Sequence, residues 1–248
     1  MGSLGASPRI DVAAWTHRGC VRRRNEDAYL IRPSEGVVAV ADGLGGAPAG
    51  DVASASALAA MAEGLSRDSE DLTRAFQEAY VCLREAMERD PSLKGMGTTL
   101  TVLVFEERGL HFRLAHVGDS RAYVLSSEGA RQITSDHTWV QEEVRAGRLS
   151  RERARTHPQR HLLTQVVAGH APPNPEVSAG TLPPEGWLLL CTDGLTECLS
   201  DDEITSLVQE GHEKGLEWVG RSLLERAWER GAPDNVTFIL MRPDPGSL

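Results

Sequence analysis

No apolar run in this 248-residue sequence approaches the roughly 18 residues that a helix needs to cross a bilayer. Its start, Met1 to Ile10, lacks the basic opening and apolar core of an export signal. Basic residues are the minority: 26 Lys and Arg face 36 Asp and Glu, a formal net charge of -10. That balance argues against nucleic acid or anionic membrane as the main partner, because both demand a dominant basic surface. Cysteine is scarce and scattered. Cys20, Cys82, Cys191 and Cys198 form no CxxC pair and read as reduced core thiols of a cytoplasmic protein. Internal repeats, linkers and low-complexity tracts are also missing. Residues 1–248 are therefore expected to form a single domain, with a monomer as the default.

What is present is ordinary globular material, 40% hydrophobic and 25% charged. Short alternating or apolar runs predict strands at 10–16, 28–32, 36–41, 98–105, 110–116, 122–126, 187–191 and 236–241. Residues 106–109 and 118–121 read as hairpin turns between neighbouring strands. Helices are expected at 49–65, 70–89, 201–209 and 216–230. The second carries an apolar stripe of Leu72, Ala75, Phe76, Ala79, Leu83, Ala86 and Met87, with Ser69 as its cap and Pro91 beyond its end. Ser200 and Glu203 are spaced as a capping box. Strand clusters joined by tight turns and separated by helical pairs give an α+β class, antiparallel sheets with helices outside. Residues 136–161 differ: Arg145, Arg148, Arg151, Arg153, Arg155 and Arg160 gather in an otherwise acidic chain.

Four aspartates stand at the ends of apolar runs or in turns. They are Asp42 before Gly43, Asp119 after Gly118, Asp193 before Gly194, and Asp234 between Pro233 and Asn235. A strand end aims each carboxylate, and glycine lets backbone approach a ligand closely. One Asp-Gly turn is commonplace. Four suggest a polynuclear site for hard cations such as Mg²⁺ or Mn²⁺.

Six motifs, in order and over nearly the whole chain, resemble the metal-dependent protein phosphatase family, the serine/threonine phosphatases of type 2C, in its bacterial form. They are Arg22-Arg23-Arg24-Asn25-Glu26-Asp27, Val40-Ala41-Asp42-Gly43-Leu44-Gly45-Gly46, Gly95-Met96-Gly97-Thr98-Thr99, Val117-Gly118-Asp119-Ser120-Arg121, Thr192-Asp193-Gly194-Leu195 and Gly231-Ala232-Pro233-Asp234-Asn235-Val236. The resemblance implies a four-layer α/β/β/α sandwich, two central mixed and mainly antiparallel sheets flanked by helix pairs. It implies hydrolysis of phosphoserine and phosphothreonine in proteins with two or three Mn²⁺ or Mg²⁺ ions, and a cognate serine/threonine kinase as partner.

Carried over by position, Asp42 bridges two metals with help from the Gly43 carbonyl, and Asp193 and Asp234 complete the protein ligands. Asp119 joins Asp193 at a third metal, and Glu26 orients metal-bound water. Hydroxide held between cations roughly 3.5–4 Å apart attacks phosphorus directly. Arg22 clamps the phosphate with its guanidinium fork. Arg23 and Arg24 are assigned to surface charge, and Thr98 and Thr99 to packing beneath the site. Leu44 stands where animal members carry histidine, which leaves the leaving group's proton donor unidentified. The arginine-rich 136–161 segment falls at the family's flap, so Arg148, Arg151 and Arg155 become candidate substrate contacts.

Other phosphate chemistries leave signatures that are missing here. Six residues after the four cysteines stand Glu26, Glu88, Glu197 and Ile204, where a cysteine phosphatase needs arginine. Neither DxDx[TV] nor GxxxxGK[ST] occurs. The competing expectations are a catalytically silent, phosphoprotein-binding member of the same fold and a phosphatase for small esters.

Overall fold

The computed structural model describes residues 9–44, 49–68, 71–106, 110–168 and 171–244. Two five-stranded sheets face each other. One runs β1 (Ile10–His17), β12 (Val236–Pro243), β11 (Trp187–Cys191), β7 (Arg121–Ser126) and β8 (Gly129–Gln132). The other runs β10 (Glu176–Thr181), β6 (His111–Val117), β5 (Leu100–Phe105), β3 (Val37–Asp42) and β2 (Asp27–Arg32). Every described pairing in both is antiparallel, so the expected mixed sheets narrow to one pattern. A short ribbon pairs β4 (Gly97–Thr98) with β9 (Val167–Ala168).

The side-chain period of two sorts the central strands into three apolar layers. Val38 and Val40 of β3 meet Leu188 and Leu190 of β11 and Ile239 and Met241 of β12 between the sheets. Val37, Ala39 and Ala41 point the other way, under α1 (Gly50–Arg67) and α2 (Leu72–Arg89). Leu189, Cys191, Phe238 and Leu240 likewise face three helices on the opposite side. These are α5 (Asp193–Cys198), α6 (Asp201–Glu210) and α7 (Leu216–Glu229). Strands covered on both faces read as continuous apolar runs, which is why these three strands were plain in the sequence. α3 (Trp139–Arg145) and α4 (Arg151–Arg155) occupy the arginine-rich segment.

Local signals account for most element ends. Ser200 and Glu203 form the expected reciprocal capping box on α6. α2 is capped by Asp71, whose side chain accepts from Arg74 N; the expected cap, Ser69, lies outside the described residues. Glu106 N donates to His111 O at 3.0 Å, closing the β5–β6 hairpin, whose turn at 107–109 also lies outside them. Two expectations are corrected. Residues 118–121 are no hairpin turn: β6 and β7 belong to different sheets, and the chain crosses between the sheets there. The strand expected at 98–105 breaks at Thr99, because Thr99 N turns to donate to Asp42 O at 2.9 Å. No described helix is long and apolar enough to cross a membrane.

Gly220 on α7 sets two effects against each other. Helix propensity favours alanine there by about 1 kcal/mol. A Cβ at Gly220 would lie only 2.1 Å from the Trp15 ring, which is itself stacked on Phe238. Overpacking costs up to about 3 kcal/mol, so Gly220→Ala should destabilise by roughly 2 kcal/mol net. A denaturant midpoint at or above the parent value would refute this.

Candidate active site

The ends of both sheets meet at one cleft of about 500 Å³, lined by Arg22, Glu26, Asp42, Gly43, Asp119, Asp193 and Asp234 among others. Four expected carboxylates distant in sequence therefore converge. Asp42 ends β3 directly across the register from Asp27, which opens β2. Its backbone is pinned on both sides: Asp42 N donates to Thr99 Oγ1 at 2.9 Å, and Thr98 Oγ1 donates to Asp42 O at 2.8 Å. Thr98 and Thr99 thus pack beneath the site as expected. Gly43 is obligatory by contact, since a Cβ there would sit 2.2 Å from Gly50 O and 2.6 Å from Glu26 O.

The other half of the site comes from the first sheet. Asp193 opens α5 immediately after β11, so the element there is a helix start and not only a turn. A Cβ on the next residue, Gly194, would lie 1.9 Å from Asn235 O. Asp234 precedes β12. Its Oδ2 accepts from Arg22 Nη2 at 2.5 Å, and its Oδ1 from Asn235 N at 2.7 Å. Asn235 fastens the loop carrying Arg22 and Glu26: Oδ1 accepts from Glu26 N, and Nδ2 donates to Arg18 O and Arg24 O. Only the fixed geometry of a buried amide makes three such bonds at once.

Charge in the cleft is one-sided. Burial, and then Asp27, Asp193, Asp119 and Asp234, push the Asp42 carboxyl well above the usual range. Burial, then Asp193, does the same to Asp119. Asp27 is pushed up to about 7, chiefly by burial, against hydrogen bonds from Thr237 and Thr192. Asp27 Oδ1 and Asp193 Oδ1 are buried without a hydrogen-bond partner. Orphaned oxygens on two of the clustered carboxylates are hard donors suited to divalent cations, so the residues fit such ions.

Sequence reasoning assigned no site role to five residues at or beside this cleft. Asp27 stood inside the first motif but received no role; Thr192 Oγ1 donates to its Oδ2 at 2.9 Å. Asn235 was visible only as the neighbour of Asp234. Arg160, His161 and Glu197 also line the cleft. His161 has its pKa raised, first by the Asp193 carboxylate 3.8 Å from its Nδ1. Leu44 lines the cleft as well. The three flap arginines named from sequence do not line it. Arg148 forks onto Glu143 at 2.5 and 2.7 Å, Arg155 approaches Asp201 at 3.9 Å, and Arg151 is exposed. Arg23 and Arg24 are exposed, as their assignment to surface charge requires.

With this geometry in place, comparison decides the lineage. The family model described as Protein phosphatase 2C matches residues 21–223. The chain belongs to the protein phosphatase 2C family. Among relatives, it is similar to the serine/threonine protein phosphatase PstP of Mycobacterium tuberculosis, 37% identical over 92% of this chain. The chain spans 44% of that relative's length. Serine/threonine phosphatase stp of Listeria monocytogenes is 30% identical, over 92% of this chain and 94% of its own length. The crystal structure of the PstP catalytic domain in complex with two manganese ions superimposes with a TM-score of 0.82. It is 34% identical and covers 95% of this chain and 99% of that one. The PstP catalytic domain thus shares this chain's two-sheet fold.

The Asp27 shift has a definite sign. A carboxyl raised in the folded state adds stability that is full below its unfolded pKa, about 3.9, and is lost as pH rises through about 7. In EDTA, the melting temperature should therefore fall between pH 4 and 7. Asp27→Asn should flatten that slope, and Mn²⁺ should raise the melting temperature most at the upper end. A slope unchanged by Asp27→Asn would sink the assignment.

Proposed function

We propose that this chain is a metal-dependent protein serine/threonine phosphatase that releases phosphate from phosphoserine and phosphothreonine by direct hydrolysis. The convergence of Asp42, Asp119, Asp193 and Asp234 on one cleft, with buried oxygens lacking partners, carries the reading. Family membership and the two manganese ions named in the PstP catalytic-domain structure support it. Asp42, with the Gly43 carbonyl, would sit between two Mn²⁺ or Mg²⁺ ions. Asp193 and Asp234 would complete the protein ligands, and Asp119 would serve a third ion. Such a cation pair supplies charge neutralisation and an acidified water for attack at phosphorus.

The chain's own residues do the positioning. Glu26, held by Asn235 through its backbone, faces the cleft and would orient the attacking water. Arg22 lies against Asp234 and is within the same cleft. Its fork would exchange that carboxylate for two phosphoryl oxygens when a cation takes up the Asp234 charge. Arg160 is the flap guanidinium placed to meet a phosphate in the cleft, since it lines the cleft and Arg148, Arg151 and Arg155 do not. The chain would work as a single-domain monomer in the cytoplasm on proteins phosphorylated by serine/threonine kinases. The names of its relatives support the phosphoprotein substrates, and its four free cysteines fit a reducing compartment.

Phosphate release from a phosphothreonine peptide should depend on Mn²⁺ and stop in EDTA. Loss of an outer-shell partner at a metal site costs about 10–100-fold, so Asp42→Ala should lower kcat/KM by more than about 100-fold. Activity untouched by EDTA or by this substitution would reject the mechanism. Binding of the peptide without turnover would favour the silent, phosphoprotein-binding alternative.

Arg160→Ala should lower kcat/KM on the phosphopeptide by about tenfold or more, a charged hydrogen bond being worth roughly 1.5–3 kcal/mol. Arg151→Ala should change it less than twofold. The reverse order in steady-state assays would place substrate on the outer flap.

A further inference from the structure

Beside the aspartates already assigned, three donors from two segments meet at the flap side of the cleft. His161 closes the arginine-rich stretch. Asp193 and Glu197 stand four residues apart on α5, on the same side of the helix. One ligand atom from each of the three lies within 4.8 Å of the others. His161 Nε2 is 3.0 Å from Glu197 Oε1, and His161 Nδ1 is 3.8 Å from Asp193 Oδ2. Arg160 also approaches Glu197, at 3.8 Å, and a bound cation would displace it.

The donor chemistry differs from that of the all-oxygen centre. Mg²⁺ selects carboxylates, carbonyls and water, whereas Zn²⁺ accepts imidazole nitrogen with carboxylate oxygen in a four-coordinate shell. Asp193 offers its two oxygens to different surroundings. Oδ2 faces His161, while Oδ1 is buried and without a hydrogen-bond partner. One carboxylate can thus serve two cations at once.

We propose that His161, Asp193 and Glu197 form a Zn²⁺-selective site with one position left to water, sharing Asp193 with the Mn²⁺ or Mg²⁺ centre. The proposal rests on the phosphatase reading of Asp193. Filling the site fastens His161, and with it the end of the flap segment, to α5, so Zn²⁺ restrains access to the cleft. No assigned ligand of the proposed metal pair other than Asp193 takes part.

The test is equilibrium dialysis of Zn²⁺ against the full chain saturated with Mg²⁺. One further Zn²⁺ per chain is expected, with affinity at least about tenfold weaker in both His161→Gln and Glu197→Gln. The ring nitrogen resonances of His161 should shift with Zn²⁺ and not with added Mg²⁺. A change below tenfold in either variant, or a His161 ring blind to Zn²⁺, overturns the site. Mn²⁺-dependent phosphate release is followed in parallel. If it persists while dialysis fails, only this site is lost. If release is absent altogether, the phosphatase reading falls instead, because Zn²⁺ uptake does not depend on turnover.

Discussion

Mutual repulsion among carboxylates is the constraint around which the molecule is arranged. Asp42, Asp119, Asp193 and Asp234 line one cleft, with the unforeseen Asp27 buried opposite Asp42 in the sheet register, and low dielectric strengthens every like-charge contact among them. Left to themselves, such side chains would splay into solvent. They are held by backbone that cannot easily move: Asp42 is fixed by Thr98 and Thr99, and Asp234 and the Arg22–Glu26 loop are joined through Asn235. Hydrogen bonds to neutral groups hold the geometry without cancelling the charge. Arg22 offsets part of the charge at Asp234, and the remainder calls for a cationic ligand.

The surrounding fold supplies rigidity at the places this arrangement needs it. Three apolar layers lock the central strands from both faces, so their ends are fixed relative to one another. Glycines at 43 and 194 remove side chains where two backbones touch within van der Waals range. The crossing at Gly118–Ser120 puts Asp119 on the chain segment that links the sheets, with Ser120 Oγ hydrogen-bonded to Thr99 Oγ1 at 2.7 Å. Position in the sheet order, and not loop length, determines which acids meet.

How much of this was readable depends on how local each signal was. Strands β3, β11 and β12 announced themselves by unbroken apolar runs, and α6 by its capping box. Edge strand β10, Glu-Val-Ser-Ala-Gly-Thr, is half-polar and lacks that signature, and β8 and β9 are too short to show one. The four aspartates were legible because each lies beside a strand end or in a turn, a pattern written in consecutive residues. Asp27 was not, because its meaning comes from facing Asp42 across a register no single segment encodes. Arg148 looked available in sequence and is engaged by Glu143 in space, whereas Arg160, noted only as one of the cluster, lines the cleft. Where the crossing of 118–121 leads is likewise a property of sheet order, which tight-turn composition cannot reveal.

Asp27 and Asp42 border one sheet, while Asp193 and Asp234 border the other. Any ion gripped among them acts as a rivet through both layers. By reciprocity of linkage, the free energy by which a bound ion tightens the seam formed by Val38, Val40, Leu188 and Leu190 equals that by which a tight seam strengthens the grip on the ion. The concentration of magnesium or manganese needed to fill such a site would therefore depend partly on valine and leucine packing in the middle of the sandwich. Drift at those interior positions would surface as a change in mineral requirement before it surfaced as unfolding.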